Sequence, residues 1–243
     1  MPTVVTTVDP LLPTVASPTS AASSAFDPEA APVDELDRQV RVYVESGVAG
    51  LLGLDRDALA ALVAPLRALA RADAATWTHP PARPDDDVPF LLVLHPDGYD
   101  VNDAVPAMRR GARLGVSVIG RDELATYATV PGVEVPAARA YLLTGIDVGS
   151  EFCGVTPEEA LAAVRERGRT PLTIAEGVAL ATVRPDRLRP NRCWSLMGSR
   201  TGTNQRVPAV WISDRRAKLG WCWDRNPHTW LGAASATGRC AAT

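Results

Sequence analysis

Four short apolar runs crowd the last quarter of the chain, at 193–197, 207–213, 218–223 and 229–233. They are parted by Gly198-Ser199-Arg200 and by turn-forming residues at 214–216 and 224–227. Runs of that length with turn residues at that spacing predict an antiparallel meander. In 207–213, Val207, Ala209 and Trp211 take one face while Val210 and Ile212 take the other. Both faces are apolar, which predicts a strand inside a sheet rather than at its edge. In 218–223, Leu219, Trp221 and Trp223 share a face, opposite Gly220 and Cys222.

The same block is set apart chemically. Residues 184–230 hold five of the six tryptophans, two of the four cysteines and the only lysine, and 184–218 carry nine basic residues against two acidic ones. Residues 1–183 carry 14 basic and 25 acidic residues, so an acidic body is joined to a basic, aromatic-rich end. That asymmetry marks where something binds without naming it. The net charge of −3 gives no overall pull toward nucleic acid or an anionic membrane. Arginine outnumbers lysine 24 to 1, which genome base composition explains more simply than ligand chemistry.

Upstream, prolines at 2, 10, 13, 18, 28 and 32 among Ser, Thr and Ala predict a flexible arm over 1–34, in which 4–12 could add an edge strand. Leu36, Val40, Tyr43 and Val44 recur at helical spacing up to Gly47, and a second helix covers 56–72 with Pro65 inside it, kinking it or starting a fresh turn. The fully apolar run 90–94, a helix capped by Asn102 and the run 116–119 give a strand–helix–strand rhythm, and 138–146 is a third strand candidate. Thr156-Pro157-Glu158-Glu159 and Thr173-Ile174-Ala175-Glu176 are capping boxes that open two helices expected to lie on the sheet, which makes Glu159 and Glu176 structural. The expectation is an α+β protein: N-terminal helices and a small βαβ-like body over 35–185, packed with the meander over 186–236, and a tail over 237–243.

The segments GRTPLTIAEGVAL (168–180), NRCWSLMGSR (191–200), VPAVWIS (207–213) and above all LGWCWDRNPHTWLGAAS (219–235) resemble a family of uncharacterised actinobacterial proteins. The resemblance covers roughly 36–235. It implies an actinobacterial source and one recurring fold, and supplies no reaction and no catalytic residue.

The leading candidate site is the C-terminal face. Trp221, Trp223, His228 and Trp230 lie close in sequence, Arg225 and Asn226 occupy the intervening turn, and Arg200 and Arg206 flank the loop 201–204, whose amides could help hold an anion. Tryptophan with arginine is also the composition of protein-interface hot spots. The plainer account buries the indoles and lays the arginine stems over them. Nucleic acid is disfavoured, because base stacking needs exposed aromatics beside phosphate-binding charge. Cys193, Cys222, His228 and Cys240 lack any close-paired zinc spacing, so no metal and no cofactor is expected. Cys222 with His228 is a candidate nucleophile pair across the turn. His79 and His95 adjoin prolines, and Asp97 and Asp100 follow a buried strand at its C-terminal end, a common ligand position in open α/β sheets. No glycine-rich phosphate loop, serine elbow or HExxH is present.

Two functional classes result. The first is a non-catalytic module that binds a small anionic ligand or a protein through Arg200, Arg206, Trp221, Trp223, Arg225, Asn226, His228 and Trp230, a composition that would equally suit a homo-oligomer. The second is a small hydrolase or transferase with His228 as base and Arg200 or Arg206 holding an anionic substrate group. No apolar run reaches the length of a membrane span and the start lacks a signal-peptide pattern, so a cytoplasmic location with no membrane partner is expected.

Overall fold

The computed structural model describes residues 25–73 and 83–242. Most of the expected arm, including 4–12, and His79 and Trp77 lie outside the described residues. The described helices are α1 (Pro32–Glu45), α2 (Val48–Leu51), α3 (Arg56–Val63), α4 (Leu66–Asp73), α5 (Val101–Ala104), α6 (Arg121–Leu124), α7 (Pro157–Glu166) and α8 (Ile174–Val183). The strands are β1 (Asp87–Leu94), β2 (Val116–Ser117), β3 (Ala128–Thr129), β4 (Ala140–Asp147), β5 (Thr170–Pro171), β6 (Cys193–Ser195), β7 (Ser199–Arg200), β8 (Arg206–Ser213), β9 (Arg216–Trp223), β10 (Leu231–Ala233), β11 (Ser235–Ala236) and β12 (Gly238–Cys240).

An antiparallel sheet, a mixed sheet and a ribbon result. One sheet has the order β1-β4-β11-β5, with β12 also on β4, and the second runs β10-β6-β8-β9-β2. β3 and β7 form a separate antiparallel pair. Helix α8 lies against β1 of one sheet and β8 of the other. Its sequence, IAEGVALATV, is apolar on nearly every side and every residue but Ala175 is buried, as a helix between two layers requires. Gly177 permits the close fit, since a Cβ there would stand 2.2 Å from a methyl of Leu196. One continuous apolar core takes in α1, β1, β4, α8, β6 and β8.

Helix α1 solves a specific problem. β1 is an edge strand, and its outward backbone groups are buried. The Gln39 side-chain amide accepts from Leu92 N at 2.7 Å and donates to Phe90 O at 3.2 Å, standing in for a neighbouring strand, and Tyr43 Oη donates to Leu92 O at 2.5 Å. Pro65 separates α3 from α4 as expected. Both capping boxes form, with Thr156 Oγ1 accepting from Glu159 N at 3.2 Å and Thr173 N donating to Glu176 Oε2 at 2.8 Å.

Three expectations change. The runs 90–94 and 116–119 do not make a βαβ unit: β1 pairs antiparallel with β4, from Asp87↔Asp147 to Leu94↔Ala140, while β2 joins the second sheet parallel to β9. Between them stand only the single turn α5 and a short 3-10 turn, too little helix to carry a crossover across a sheet. Asp100 rather than Asn102 caps α5, accepting from Asn102 N at 2.8 Å. Within the segment expected as a tail, Gly238–Cys240 form β12 on β4, and Arg239 forks onto the buried Glu176 at 2.6 and 2.8 Å. At the other end, Phe26 of the expected arm lies 3.5 Å over the buried Arg184 guanidinium.

The meander keeps its expected antiparallel core, β6-β8-β9, with β8 internal. Its last run, β10, turns parallel to β6. Among the described residues no helix is long and apolar enough to cross a membrane.

Candidate functional site

The register of β8 on β9 sorts the aromatic residues. Pro208 stands opposite Trp221, Arg206 opposite Trp223 and Trp211 opposite Lys218. Paired residues share a face and positions three apart do not, so Trp221 and Trp223 lie on the face opposite Trp211. The predicted site therefore divides. On one face Trp221 and Trp223 meet edge to face with centroids 5.0 Å apart, and the Arg206 guanidinium covers Trp221 at 4.0 Å. Elsewhere His228 stacks obliquely on Trp230 at 4.9 Å, and Trp230 meets Trp211 at 6.3 Å.

Burial grades the indoles. Trp194 is wholly inside, Trp211, Trp221 and Trp230 are half-buried, and Trp223 is 45% exposed. Trp194 is part of the core, Trp211, Trp221 and Trp230 pack against it, and Trp223 is the large apolar side chain left open at the end of β9.

The arginines do not face an open anion site. Arg206 Nη1 pairs with Glu123 at 2.6 Å. Arg200 Nη1 lies 3.8 Å from Asp224 and donates to Arg206 O at 3.4 Å, and burial lowers its pKa against the pull of Asp224. Arg225 reaches Glu158 at 3.1 Å on the surface. Asn226 contributes its backbone N–H to Trp223 O at 3.2 Å, closing the turn after β9. Sequence reasoning missed Glu123 and Tyr127, which complete this face: Tyr127 Oη approaches Glu123 at 3.5 Å, and burial, then the Glu123 charge, pushes its phenol up to about 12. Nothing in the sequence linked α6 to β8, because their meeting depends on tertiary folding.

The catalytic candidates are not assembled. His228 accepts at its backbone oxygen from Gly154 N at 2.9 Å and Leu231 N at 3.2 Å, while its ring meets Trp230. Among the described residues no carboxylate, thiol or hydroxyl is bonded to that ring. Cys222 is buried, and its thiol is pushed up to about 11 by burial, with Arg200 pulling the other way, so it stays protonated at neutral pH. Asp97 is exposed and 3.2 Å from His95 Nδ1, and Asp100 is tied to Arg121 at 3.0 Å besides capping α5. The reasoning that raised Asp97 and Asp100 needed a parallel sheet, and β1 is an antiparallel edge strand. His95, Tyr127, Tyr141, Thr173 and Ser199 do line a cleft of about 210 Å³ beside the β3–β7 ribbon. No group of three or more His, Cys, Asp and Glu side chains gathers as a metal site among the described residues.

The backbone of β9 carries the other half of the site. Leu219 O accepts from Val118 N at 2.8 Å, so the odd-numbered residues of β9 turn their N–H and C=O away from β8. Pro208, opposite Trp221, has no N–H to give, and its oxygen accepts from Leu196 N at 2.7 Å on the far side. Trp221 thus presents both backbone groups to the outer edge. β2 covers that edge only at Lys218 and Leu219, and among the described residues no strand continues it past 219.

An antiparallel and a mixed sheet enclosing a buried helix, edged by N-terminal helices, make this an α+β protein whose second sheet carries the aromatic strand β9, covered by β2 over only part of its length. A model described as a family of unknown function (DUF5701) matches residues 42–242, and the chain belongs to that family. The match runs through β12, past the end of the resemblance read from the sequence. No curated protein and no solved structure matches the chain.

Proposed function

We propose that the chain is a non-catalytic interaction module that receives an extended segment of a protein partner along the outer edge of β9. The observation that carries this reading is the backbone of Trp221, unpaired among the described residues, beside the exposed Trp223 indole. A partner strand there gains main-chain hydrogen bonds from the edge and apolar contact from the indole, the two ingredients of strand addition. Arg206 and Trp221 flank that position as a rigid stacked pair of hot-spot type. A small-anion site at Arg200, Arg206 and Arg225 is less favoured, since each already faces a carboxylate of this chain. A hydrolase or transferase with His228 as base is less favoured, since among the described residues no acid, thiol or hydroxyl is bonded to its ring.

The test is site-specific photo-crosslinking in the cells that make the protein. A crosslinker at position 225, in the exposed turn after β9, is expected to capture one protein through an extended segment. The same group at position 56, on the exposed start of α3, should not. Equal capture at both positions, or none at 225, contradicts the reading.

A further inference from the structure

At the opposite end of the β8–β9 hairpin four arginines line one open surface cleft, and among the described residues none of them pairs with a carboxylate. Arg109, Arg110, Arg113 and Arg215 line an open cleft of about 560 Å³, with Pro185 and Asp186 on its wall. Among the described residues none of the four makes an ion pair or a side-chain hydrogen bond, whereas Arg200, Arg206, Arg225 and Arg239 each have a carboxylate partner. The nearby acids are committed elsewhere. Asp186 holds Arg184 at 2.8 Å and Arg187 at 3.4 Å, and Asp214 faces Lys218 at 3.4 Å.

The arginines are held by built turns. Arg110 and Arg113 exchange backbone hydrogen bonds of 3.0 and 3.1 Å around Gly111, whose φ of +58° closes the turn. Arg215 adopts a φ of +61° and Asp214 one of +53°, a left-handed pair without glycine at the tip of the hairpin. Non-glycine residues held there cost free energy, and such strain collects at functional positions. Arg216 Nη1 donates to Leu114 O at 3.4 Å and ties the hairpin to the 110–113 turn.

We infer that this cleft binds a small, multiply charged phosphate compound. Four arginines without carboxylate partners on one cleft suit an anion with several separated oxygen groups, and the guanidinium fork fits phosphate oxygens. A single carboxylate occupies one fork and leaves the rest unmatched. The cleft has the volume of a small-ligand site. No aromatic side chain lines it, so it offers no platform for stacking nucleic-acid bases. The hairpin strands put it roughly 20–25 Å from Trp223 by strand rise, so this site is independent of the β9 edge.

Calorimetric titration with inorganic triphosphate at about 0.15 M salt tests it. The wild-type chain is expected to bind one equivalent saturably, and Arg113→Gln/Arg215→Gln to bind roughly a hundredfold more weakly, since each of the two lost charged contacts is worth about a factor of ten. Both positions are exposed, so the double variant should melt with the wild type. Arg56→Gln, on the exposed start of α3, should bind as the wild type does. Absence of saturable binding by the wild type, or equal affinity in the double variant, overturns the proposal. So does an oligonucleotide of equal phosphate content binding more tightly than triphosphate in a manner that Arg113→Gln/Arg215→Gln abolishes, which would make the cleft a nucleic-acid contact.

Discussion

Single residues hold the two sheets in register with each other. Gly149 has a φ of +70°, and a Cβ there would stand 2.0 Å from Ala233 O, so its backbone packs directly on β10. Gly149→Ala combines backbone strain with a collision that no side chain can relieve. We expect it to cost roughly 2–4 kcal/mol, read as a shift in the urea midpoint with unchanged slope. The cysteines give a pH dependence. Burial pushes the Cys193 and Cys222 thiols up to about 11 from 9.0, so between those values the folded chain keeps protons that the unfolded chain has lost. Their contribution is fully present below about pH 9 and is lost as pH rises through about 11. Urea unfolding at increasing pH should show stability falling across that window, and the Cys193→Ala/Cys222→Ala variant should show a shallower fall. Identical slopes would mean that the thiols are not held as described.

Among the elements, the two box-capped helices and the β6-β8-β9 core were legible, and the partners of β1 and β2 were not. Thr156 and Thr173 announce their helices because a cap is a local bond between residues three apart. Pro65 announces its break for an equally local reason. The fate of 116–119 was hidden because pairing is decided by what β9 leaves uncovered, about a hundred residues later. β1's edge makes the same point in energies. Gln39→Leu keeps the volume but leaves Leu92 N–H and Phe90 C=O buried without partners, and should cost about 2–4 kcal/mol. The open strand is tested by amide exchange in the free protein. Trp221 N–H faces outward and should exchange much faster than Cys222 N–H, which points into the β8 ladder. Comparable protection at both positions would mean that the edge is covered.

Across the whole molecule, the charge division read from the sequence survives only in part. The basic excess is real, but folding spends Arg200, Arg206, Arg225 and Arg239 on carboxylates drawn from Glu123, Glu158, Glu176 and Asp224. Three of those acids come from the acidic body, and no sequence pattern pairs them. The candidate site was legible as a neighbourhood, through the crowding of tryptophans. Its division into two faces needed the register of Pro208 on Trp221, and the unmatched arginines at 109–113 lay outside the block that drew attention. The claim at the centre of this account is that the Trp221–Trp223 edge is where a partner docks. Native mass spectrometry of the chain isolated gently from its own cells, as wild type and as Trp223→Ala, measures that most directly. The account predicts a defined complex for the wild type, lost in Trp223→Ala and retained in Arg113→Gln/Arg215→Gln. A wild type found only as the free chain, or a complex that Trp223→Ala leaves intact, would contradict it.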